Sequence, residues 1–291
     1  MILDVSMFKL MFLVLVIPIS LLFEGMRRKL LARMQNRIGP PIWQPFYDIM
    51  KLFEKEKSDS KASENVFFKI TPFLYLLTTF TLFFFIPFPL IGFQFDFILF
   101  VYVLILSGAL YVLSGFASNS PYGSIGSMRE LILMICYEAI FVVGIFTFIL
   151  FSNIESLADF NQTCLIYNLP IASACLFVVA LVEMRITPLD TVEAPTEIMG
   201  SVETEYSGRS LGFLEISKYL KSAFFIFLFT MLFFGFKDLL MFSIFSLIML
   251  FVFTFTQATT CRYRVDQTFN LLMIVLLLVV IEFVRINYIV W

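Results

Sequence analysis

Histidine is absent from this chain, and its four cysteines follow neither a C-x-x-C spacing nor a disulfide framework: Cys136, Cys164, Cys175 and Cys261. The sequence therefore offers no usual ligand set for haem, an iron–sulfur cluster or zinc. We expect no metal site in this chain, so the metal centres of any redox function would belong to partner proteins. Charged residues make up only 14% of the chain and the net charge is −2, so nothing indicates a nucleic-acid partner.

Apolar residues are what the sequence has in abundance. Of the 291 residues, 60% are hydrophobic and 18% aromatic, and the mean hydropathy is +0.94. A soluble fold could not cover that much apolar surface. The sequence predicts an all-α polytopic membrane protein, a single membrane domain over residues 1–291, with about eight transmembrane helices of the length that a ~30 Å hydrocarbon core requires. The apolar runs are 2–23, 66–91, 97–117, 131–151, 165–181, 211–236, 239–256 and 269–289.

Basic residues are distributed unevenly between the connections. Of the 20 Lys and Arg, 17 fall in or beside the odd-numbered connections, and the other three are Lys9, Lys237 and Arg285. Because cytoplasmic loops carry the excess of positive charge, both termini are predicted to lie on the outer side. The acid Asp4 stands at the start of the first run and no small-residue cleavage site follows the run, so we interpret it as a span rather than a signal peptide.

The first cytoplasmic connection is basic and contains two helical patterns. Residues 24–39 are predicted to be helical up to the stop at Pro40 and Pro41. A second pattern places Phe46, Ile49, Met50 and Phe53 on one face, which predicts a short amphipathic helix lying in the membrane interface. Attraction to anionic lipids accounts for part of the basic cluster, but not for Gln35, Asn36 and the turn at Gly39.

The most unusual stretch is residues 183–208, which lies between two apolar runs and carries six acids: Glu183, Asp190, Glu193, Glu197, Glu203 and Glu205. Carboxylates held beside a bilayer repel one another and lose solvation, and both effects raise their pKa values toward neutrality. That chemistry suits a proton relay. A solvated acidic loop is the competing interpretation.

Three further features lie close to this stretch in the predicted topology. Residues 118–130 are predicted to be a small-residue loop, and Glu138 follows inside the fourth apolar run, where a carboxylate is a functional candidate by default. Glu215, Lys218 and Lys221 recur at steps of three at the start of the sixth run, so they share a helix face. We expect Glu215 and Lys218 to be able to pair.

Together these motifs resemble subunit 1, a membrane subunit of respiratory complex I, and its counterparts in the energy-converting membrane-bound nickel–iron hydrogenases. The resemblance runs from one end of the chain to the other. It is carried by residues 27–40 (RRKLLARMQNRIGP), 44–52 (QPFYDIMKL), 128–129, 137–138, 183–190 (EMRITPLD), 193 with 197, 205–208 (EYSG) and 264–267 (RVDQ).

The resemblance implies a fold, partners and residue roles. Such a subunit joins a peripheral arm, whose partner subunits hold iron–sulfur clusters and in hydrogenases a nickel–iron site, to antiporter-like membrane subunits in an energy-transducing membrane. This chain would then be a non-metal subunit of an ion-pumping oxidoreductase, in a prokaryotic cell membrane. In quinone-reducing members its cytoplasmic face forms much of the quinone chamber. Carried over, the entrance or arm-facing region is Arg27, Gln35, Arg37 and Trp43; the acidic relay is Glu138, Glu183, Asp190, Glu193, Glu197 and Glu205, joined by Glu215 and Lys218.

Three departures from the complex I pattern favour the hydrogenase branch. Pro195 stands where many members have an additional acid, Gly200 is displaced by one position, and Lys218-Tyr219 replaces a frequent Glu-Tyr. Lys218 would act in place of that acid. The alternative is the quinone-chamber subunit of a proton-pumping NADH:quinone oxidoreductase. Two interpretations from other classes are a stand-alone secondary transporter, although no paired broken helices are visible, and a passive membrane anchor.

Overall fold

The computed structural model describes residues 2–56, 65–90, 92, 94–152, 168–235 and 238–290. Cys164, Lys237 and two basic residues counted in the first connection, Lys57 and Lys61, lie outside the described residues. All regular elements of this described part are helical. They are α1 (Ile2–Met34), α2 (Gln44–Glu54), α3 (Val66–Thr81), α4 (Asp96–Ala117), α5 (Pro121–Ser152), α6 (Pro170–Glu183), α7 (Pro195–Ile198), α8 (Gly208–Phe234), α9 (Leu239–Thr259) and α10 (Val265–Val290). Short 3₁₀ turns follow at Leu82–Phe84 and Ser201–Glu203.

Each of the eight apolar runs coincides for most of its length with one helix. Within the described ranges, six helices are long and apolar enough to cross a membrane: Val66–Phe84, Asp96–Ala117, Pro121–Ser152, Gly208–Phe234, Leu239–Thr259 and Val265–Tyr288. The other two runs correspond to α1 and to the 14-residue α6. The all-α polytopic membrane fold is confirmed, and the total of eight crossings stays a prediction.

Local sequence signals explain several of these boundaries. Asn65 caps α3 by accepting a hydrogen bond from the Phe67 amide at 3.1 Å. Pro121 and Pro170 occupy the first positions of α5 and α6, where a missing N–H costs nothing. Gly235, with φ 67°, ends α8 in a conformation that favours glycine.

The central helix of the bundle is α8. In its apolar segment 83% of the residues are buried, against 33% in α9 and 28% in α10. Its side chains Leu220, Phe224, Phe225 and Phe229 are fully buried, because α8 packs against α1, α2, α3 and α9. On the other side α5 packs against α4, α6 and α10. The chain therefore positions α8 and α5 as the walls of its interior, and α9 and α10 as its more exposed rim.

The predicted loop at residues 118–130 is wrong for most of its length, since α5 begins at Pro121. Its small residues serve close packing instead. A Cβ atom at Gly123 would collide with Ser118 Oγ, and one at Gly126 would collide with Ser201 Oγ. A Cβ atom at Gly115 of α4 would likewise collide with Ser127 Oγ and approach Val202. Glycine thus lets the turn Ser201–Glu203 lie directly against α4 and α5.

The first connection is helical, but α1 ends at Met34 rather than continuing to residue 39 as predicted, and α2 follows at Gln44–Glu54. Ile49 is buried and Phe46 and Phe53 are half-buried, but Met50 is 59% exposed. Positions 46, 49, 50 and 53 share one helix face, as predicted; Ile49 and Phe53 form the part of that face that packs on the protein, and Met50 lies at its exposed side. The packed face of α2 rests on α8, where the Phe53 ring meets Phe213 at 5.5 Å between centroids.

The segment between α6 and α8, residues 184–207, folds back over the end of the bundle, and we call this end the loop end. The Tyr263 amide donates to the Pro188 carbonyl at 3.0 Å, and the Thr187 hydroxyl donates to the Gln257 carbonyl at 3.0 Å. At the far side Tyr206 stacks on Phe68 at 4.2 Å and donates its hydroxyl to the Ser114 carbonyl at 2.9 Å. Hydrogen bonds and a ring contact therefore hold the acid-rich segment against α3, α4 and α9, so it is not a free loop in solvent.

Candidate functional site

A cavity of about 270 Å³ opens at the loop end, between α1, α6, α8 and the loop. Most of its lining is charged, and the charged residues include both acids and bases. It is lined by Glu24, Arg27, Arg28, Tyr75, Glu183, Met184, Arg185, Ile186, Glu193, Glu215, Lys218, Tyr219, Lys221 and Ser222. A cavity so polar and of this volume suits water molecules, which need several polar partners each.

One group of charges, which we call the loop set, consists of Glu193, Glu203 and Lys218. Lys218 Nζ lies 2.8 Å from Glu193 Oε1 and also contacts Glu203 Oε1. Burial raises the pKa of Glu203 to about 7 despite the attraction of Lys218. Burial acts on Glu193 in the same direction, but Lys218 and Arg185 outweigh it and lower the pKa of Glu193 to about 2. The cations therefore favour the ionised form of Glu193, whereas burial favours the protonated form of Glu203.

The expected pairing of Glu215 with Lys218 is wrong. Lys218 points instead toward the loop, where its ammonium group forms ion pairs with the carboxylates of Glu193 and Glu203. The attraction of the two loop carboxylates, which both contact the ammonium group, exceeds the attraction of Glu215 on the same helix. Glu215 still lines the cavity one turn earlier on α8.

A second group, which we call the membrane set, consists of Glu130, Glu138, Glu183 and Lys221, on α5, α6 and α8. Lys221 Nζ lies 2.5 Å from Glu183 Oε2. Glu130 Oε1 accepts a hydrogen bond of 3.2 Å from the Tyr137 hydroxyl. Glu138 Oε1 lies over Gly108 of α4, where a Cβ atom would approach it to 3.3 Å. That oxygen is buried, and no described residue hydrogen-bonds to it.

The remaining predicted acids are separate from these sets. Asp190 is buried and lies 3.1 Å from Arg262, and burial together with the charge of Glu193 raises its pKa to about 7 against the attraction of Arg262. Glu197 is half exposed and pairs with Arg129 at 2.7 Å. Glu205 is half-buried and forms no ion pair with any residue of the described ranges.

The predicted entrance residues do not lie together. Arg27 lines the cavity, donating to Glu24 and to Gln257 at 2.7 Å each. Gln35 and Arg37 are exposed beyond the end of α1, and Trp43 is 58% exposed with its ring 5.5 Å from that of Phe46. Of these four residues, Arg27 is the one that the cavity brings next to the acids.

Sequence reasoning missed several residues that the structure places at the site. Glu130 falls in the predicted loop, although its spacing to Tyr137 and Glu138, two helical turns, is a usable signal. Glu24 is three and four residues before Arg27 and Arg28, the spacing of helical ion pairs, and it contacts both. Tyr111, whose ring lies under Arg185, gave no signal. The described residues contain no group of His, Cys, Asp and Glu arranged to hold a metal ion.

These features define a multi-pass helical membrane protein with a charged cavity at one end. A family model described as NADH dehydrogenase matches residues 7–287. The chain belongs to this family, the NADH dehydrogenase subunit 1 family, which confirms the resemblance drawn from the sequence.

Individual relatives come from both branches of that resemblance. Hydrogenase-4 component C of Escherichia coli strain K12 is 30% identical over 233 residues, covering 77% of this chain and 73% of its own. An NADH-quinone oxidoreductase subunit of Geobacillus sp. strain WCH70 is 31% identical over 270 residues, covering 84% and 81%. Among solved structures, a chain of the archaeal membrane-bound sulfane sulfur reductase matches with a TM-score of 0.87 and 22% identity, covering 97% of this chain and 99% of that one. This structural likeness shows the fold alone.

Proposed function

We propose that this chain is the membrane subunit that links a peripheral electron-transfer arm to ion-translocating membrane subunits in a complex I-related oxidoreductase of the hydrogenase type. The observation that carries the proposal is the succession of charged side chains from the loop into the bundle. Glu193, Glu203 and Lys218 lie at the end nearest the loop, and Glu138, Glu183 and Lys221 continue it between α5, α6 and α8. Glu215 also lines the cavity, and Asp190 lies beside it in the loop, paired with Arg262.

The mechanism is electrostatic. A change of charge or position in the arm alters the field at residues 184–207, and coupled carboxylates then exchange protons as a set. A shift of one pKa unit corresponds to about 1.4 kcal/mol, and moving one charge through 100 mV requires about 2.3 kcal/mol. Concerted shifts of roughly two units at a few carboxylates are therefore large enough to drive one ion. The ion itself, H⁺ or Na⁺, would cross in the antiporter-like partners.

Two observations favour the hydrogenase branch over the quinone branch. Ligand pockets for molecules of quinone size are mainly apolar, whereas this cavity is lined mostly by charged side chains that pair with one another. Lys218 provides a cation at the centre of that lining. The alternative, a quinone-chamber subunit of a proton-pumping NADH:quinone oxidoreductase, draws support from the 31% identity to the NADH-quinone oxidoreductase subunit of Geobacillus. In either case the iron–sulfur and nickel–iron centres would belong to partner subunits.

The test of coupling uses the complete assembly in proteoliposomes. Glu138→Gln and Glu193→Gln each replace an ionisable carboxyl group of the succession with an amide of nearly the same shape. We expect each to abolish ion movement while electron transfer in the arm continues. Glu282→Gln is the matched control, because Glu282 is a buried acid of α10 that pairs with Arg285 away from the cavity.

The other classes give different results in the same experiment. A passive anchor would lose assembly in these variants and keep normal ion movement in whatever assembles. A secondary transporter would move ions as the isolated chain in vesicles, without electron flow. Normal ion movement in both Glu138→Gln and Glu193→Gln would refute the coupling role.

The branch is tested on the purified assembly with two electron donors. Reduced ferredoxin should drive hydrogen evolution, and NADH should give no quinone reduction. Inhibitor-sensitive quinone reduction would instead establish the alternative and make the cavity a quinone chamber.

A further inference from the structure

Arg185 occupies an unusual position just beyond the end of α6. Its side chain is only 7% exposed, and its backbone has a φ of 52°, in the left-handed region that residues other than glycine seldom adopt. The guanidinium carbon lies 3.4 Å from the ring centroid of Tyr111, within the range of a cation–π contact. Burial of a permanent cation in a strained backbone conformation indicates that the surrounding contacts fix this side chain in place.

The contacts of Arg185 join the loop set to the membrane set. Its Nη1 atom donates to Glu193 Oε1 at 3.1 Å, and its Nη2 atom lies 3.8 Å from Glu130 Oε1. Within the described ranges, no other side chain forms ion pairs with members of both sets. Lys218 contacts Glu193 and Glu203, and Lys221 contacts Glu183.

We infer that Arg185 is a positioning residue that couples the charge state of Glu193 to that of Glu130, and that Glu130 is a further acid of the relay. This inference rests on the proposed function. A guanidinium group stays protonated at all relevant pH values, so Arg185 carries no proton. It acts as a fixed positive charge shared by two carboxylates, one in the loop and one on α5.

The geometry explains how the charge is shared. When Glu193 is ionised, the guanidinium group lies closer to Glu193, at 3.1 Å, than to Glu130, at 3.8 Å, so Glu130 is the more weakly paired acid. When the loop changes and Glu193 is withdrawn, the same fork of N–H donors is free for Glu130 and stabilises its anion. Glu130 would then release a proton toward Glu138, which lies two helical turns along α5.

Groups from several elements around Arg185 contribute to this balance, and Lys218 of α8 contacts the same Glu193 oxygen as Arg185 does. Tyr75 comes from α3, Tyr111 from α4 and Glu130 from α5, while Glu193 comes from the loop. Lys221 from α8 repels the guanidinium group, and its partner Glu183 offsets that repulsion. The Tyr137 hydroxyl, which donates to Glu130, holds the carboxylate toward Arg185.

The test compares Arg185→Lys, Glu130→Gln and the double variant in the complete assembly. Lysine keeps the charge but lacks the planar fork, so it cannot serve both carboxylates. We expect each single change to lower the number of ions moved per electron at least about twofold, and the double variant to be no worse than the more severe single one, because the two residues act through one contact. The pH profile of ion movement should shift in Glu130→Gln, a readout that a purely structural role would leave unchanged.

The controls are Arg285→Lys and Glu282→Gln, the same two substitutions in an Arg–Glu pair on α10. Both should leave the ratio of ions to electrons and its pH profile unchanged. If Arg185→Lys fails to assemble, Glu130→Gln still decides, because it leaves the Arg185 contacts with Glu193 and Tyr111 in place. Normal ion movement in Glu130→Gln, or additive losses in the double variant, would overturn the inference. If either of these results is found while Glu193→Gln still blocks ion movement, the inference fails and the proposed function survives. Normal ion movement in both Glu138→Gln and Glu193→Gln would refute the proposed function itself.

Discussion

The ammonium nitrogen of Lys221 lies 2.5 Å from Oε2 of Glu183, with both residues almost completely buried where α6 and α8 meet. Two buried charges lose their hydration, so such a pair is stable only because each neutralises the other. Removing one partner therefore differs from removing both. The pair gives the membrane set a compensated charge next to Glu138, which has no such partner in the described structure.

This relationship predicts an asymmetry between single and double substitutions. Lys221→Met leaves the Glu183 carboxylate buried and unpaired, and we expect it to lower the free energy of unfolding by roughly 3–5 kcal/mol. Glu183→Gln with Lys221→Met should recover most of that loss, because no unpaired charge remains. Thermal unfolding of the assembled complex in detergent measures both. Equal losses in the single and double variants would contradict the prediction. The control is removal of the partly exposed Arg129–Glu197 pair, which should lower the free energy of unfolding by only about 0–1 kcal/mol.

Glu203 predicts a pH dependence of stability. Its pKa in the folded protein is about 7, above the ordinary value of 4.5, so the folded state binds the proton more tightly than the unfolded state does. The contribution to stability is complete below about pH 4.5 and is lost as the pH rises through about 7. Glu203→Gln should match the unmodified protein near pH 5 and exceed it in melting temperature near pH 8. Glu193 is ionised in both states over this interval and does not oppose the trend.

The control for this pH effect is Glu197→Gln, since Glu197 is half exposed. Its melting temperature should follow the pH dependence of the unmodified protein. If the melting temperatures of Glu203→Gln and the unmodified protein change in parallel between about pH 5 and pH 8, Glu203 does not titrate in this interval.

Arg27 and Arg37 should differ although they stand in the same basic stretch. Arg27→Ala removes charged hydrogen bonds to Glu24 and Gln257, and we expect a loss of roughly 2–3 kcal/mol in unfolding free energy. Arg37 is exposed, so Arg37→Ala should change the free energy of unfolding by about 0.5 kcal/mol or less. Chemical or thermal denaturation of the two variants checks this. Comparable losses would mean that Arg37 is held by contacts beyond this chain.

The sequence predicted the helices well because apolar length and proline positions are local signals. The eight runs and the amphipathic helix α2 were both readable in this way. The failures concern contacts between elements. Lys218 and Glu215 have the spacing of a pair, yet Lys218 reaches Glu193 and Glu203, which come close only after the loop folds back.

The acids illustrate the same limit. Their adjacency in sequence suggested one cluster, but they are distributed among several sites. Glu193 and Glu203 join Lys218, Glu183 joins Lys221 on α8, and Asp190 is bound by Arg262. Glu130 was hidden for the opposite reason, because glycine and serine residues around it are typical of a loop. Those small residues instead permit close helix packing, and that distinction depends on neighbours that the local sequence does not specify.

The glycine contacts of α4 and α5 determine how the loop can transmit movement. Gly126 has no room for a side chain against Ser201, and Val202 lies similarly close to Gly115. Met199, Gly200 and Ser201 also follow one another with positive φ, so this turn has little freedom to deform alone. We therefore expect the loop and the two helices to move together. A push on the outer surface of the loop would be passed on as a displacement of α5, and with it the position of Glu130 and Glu138.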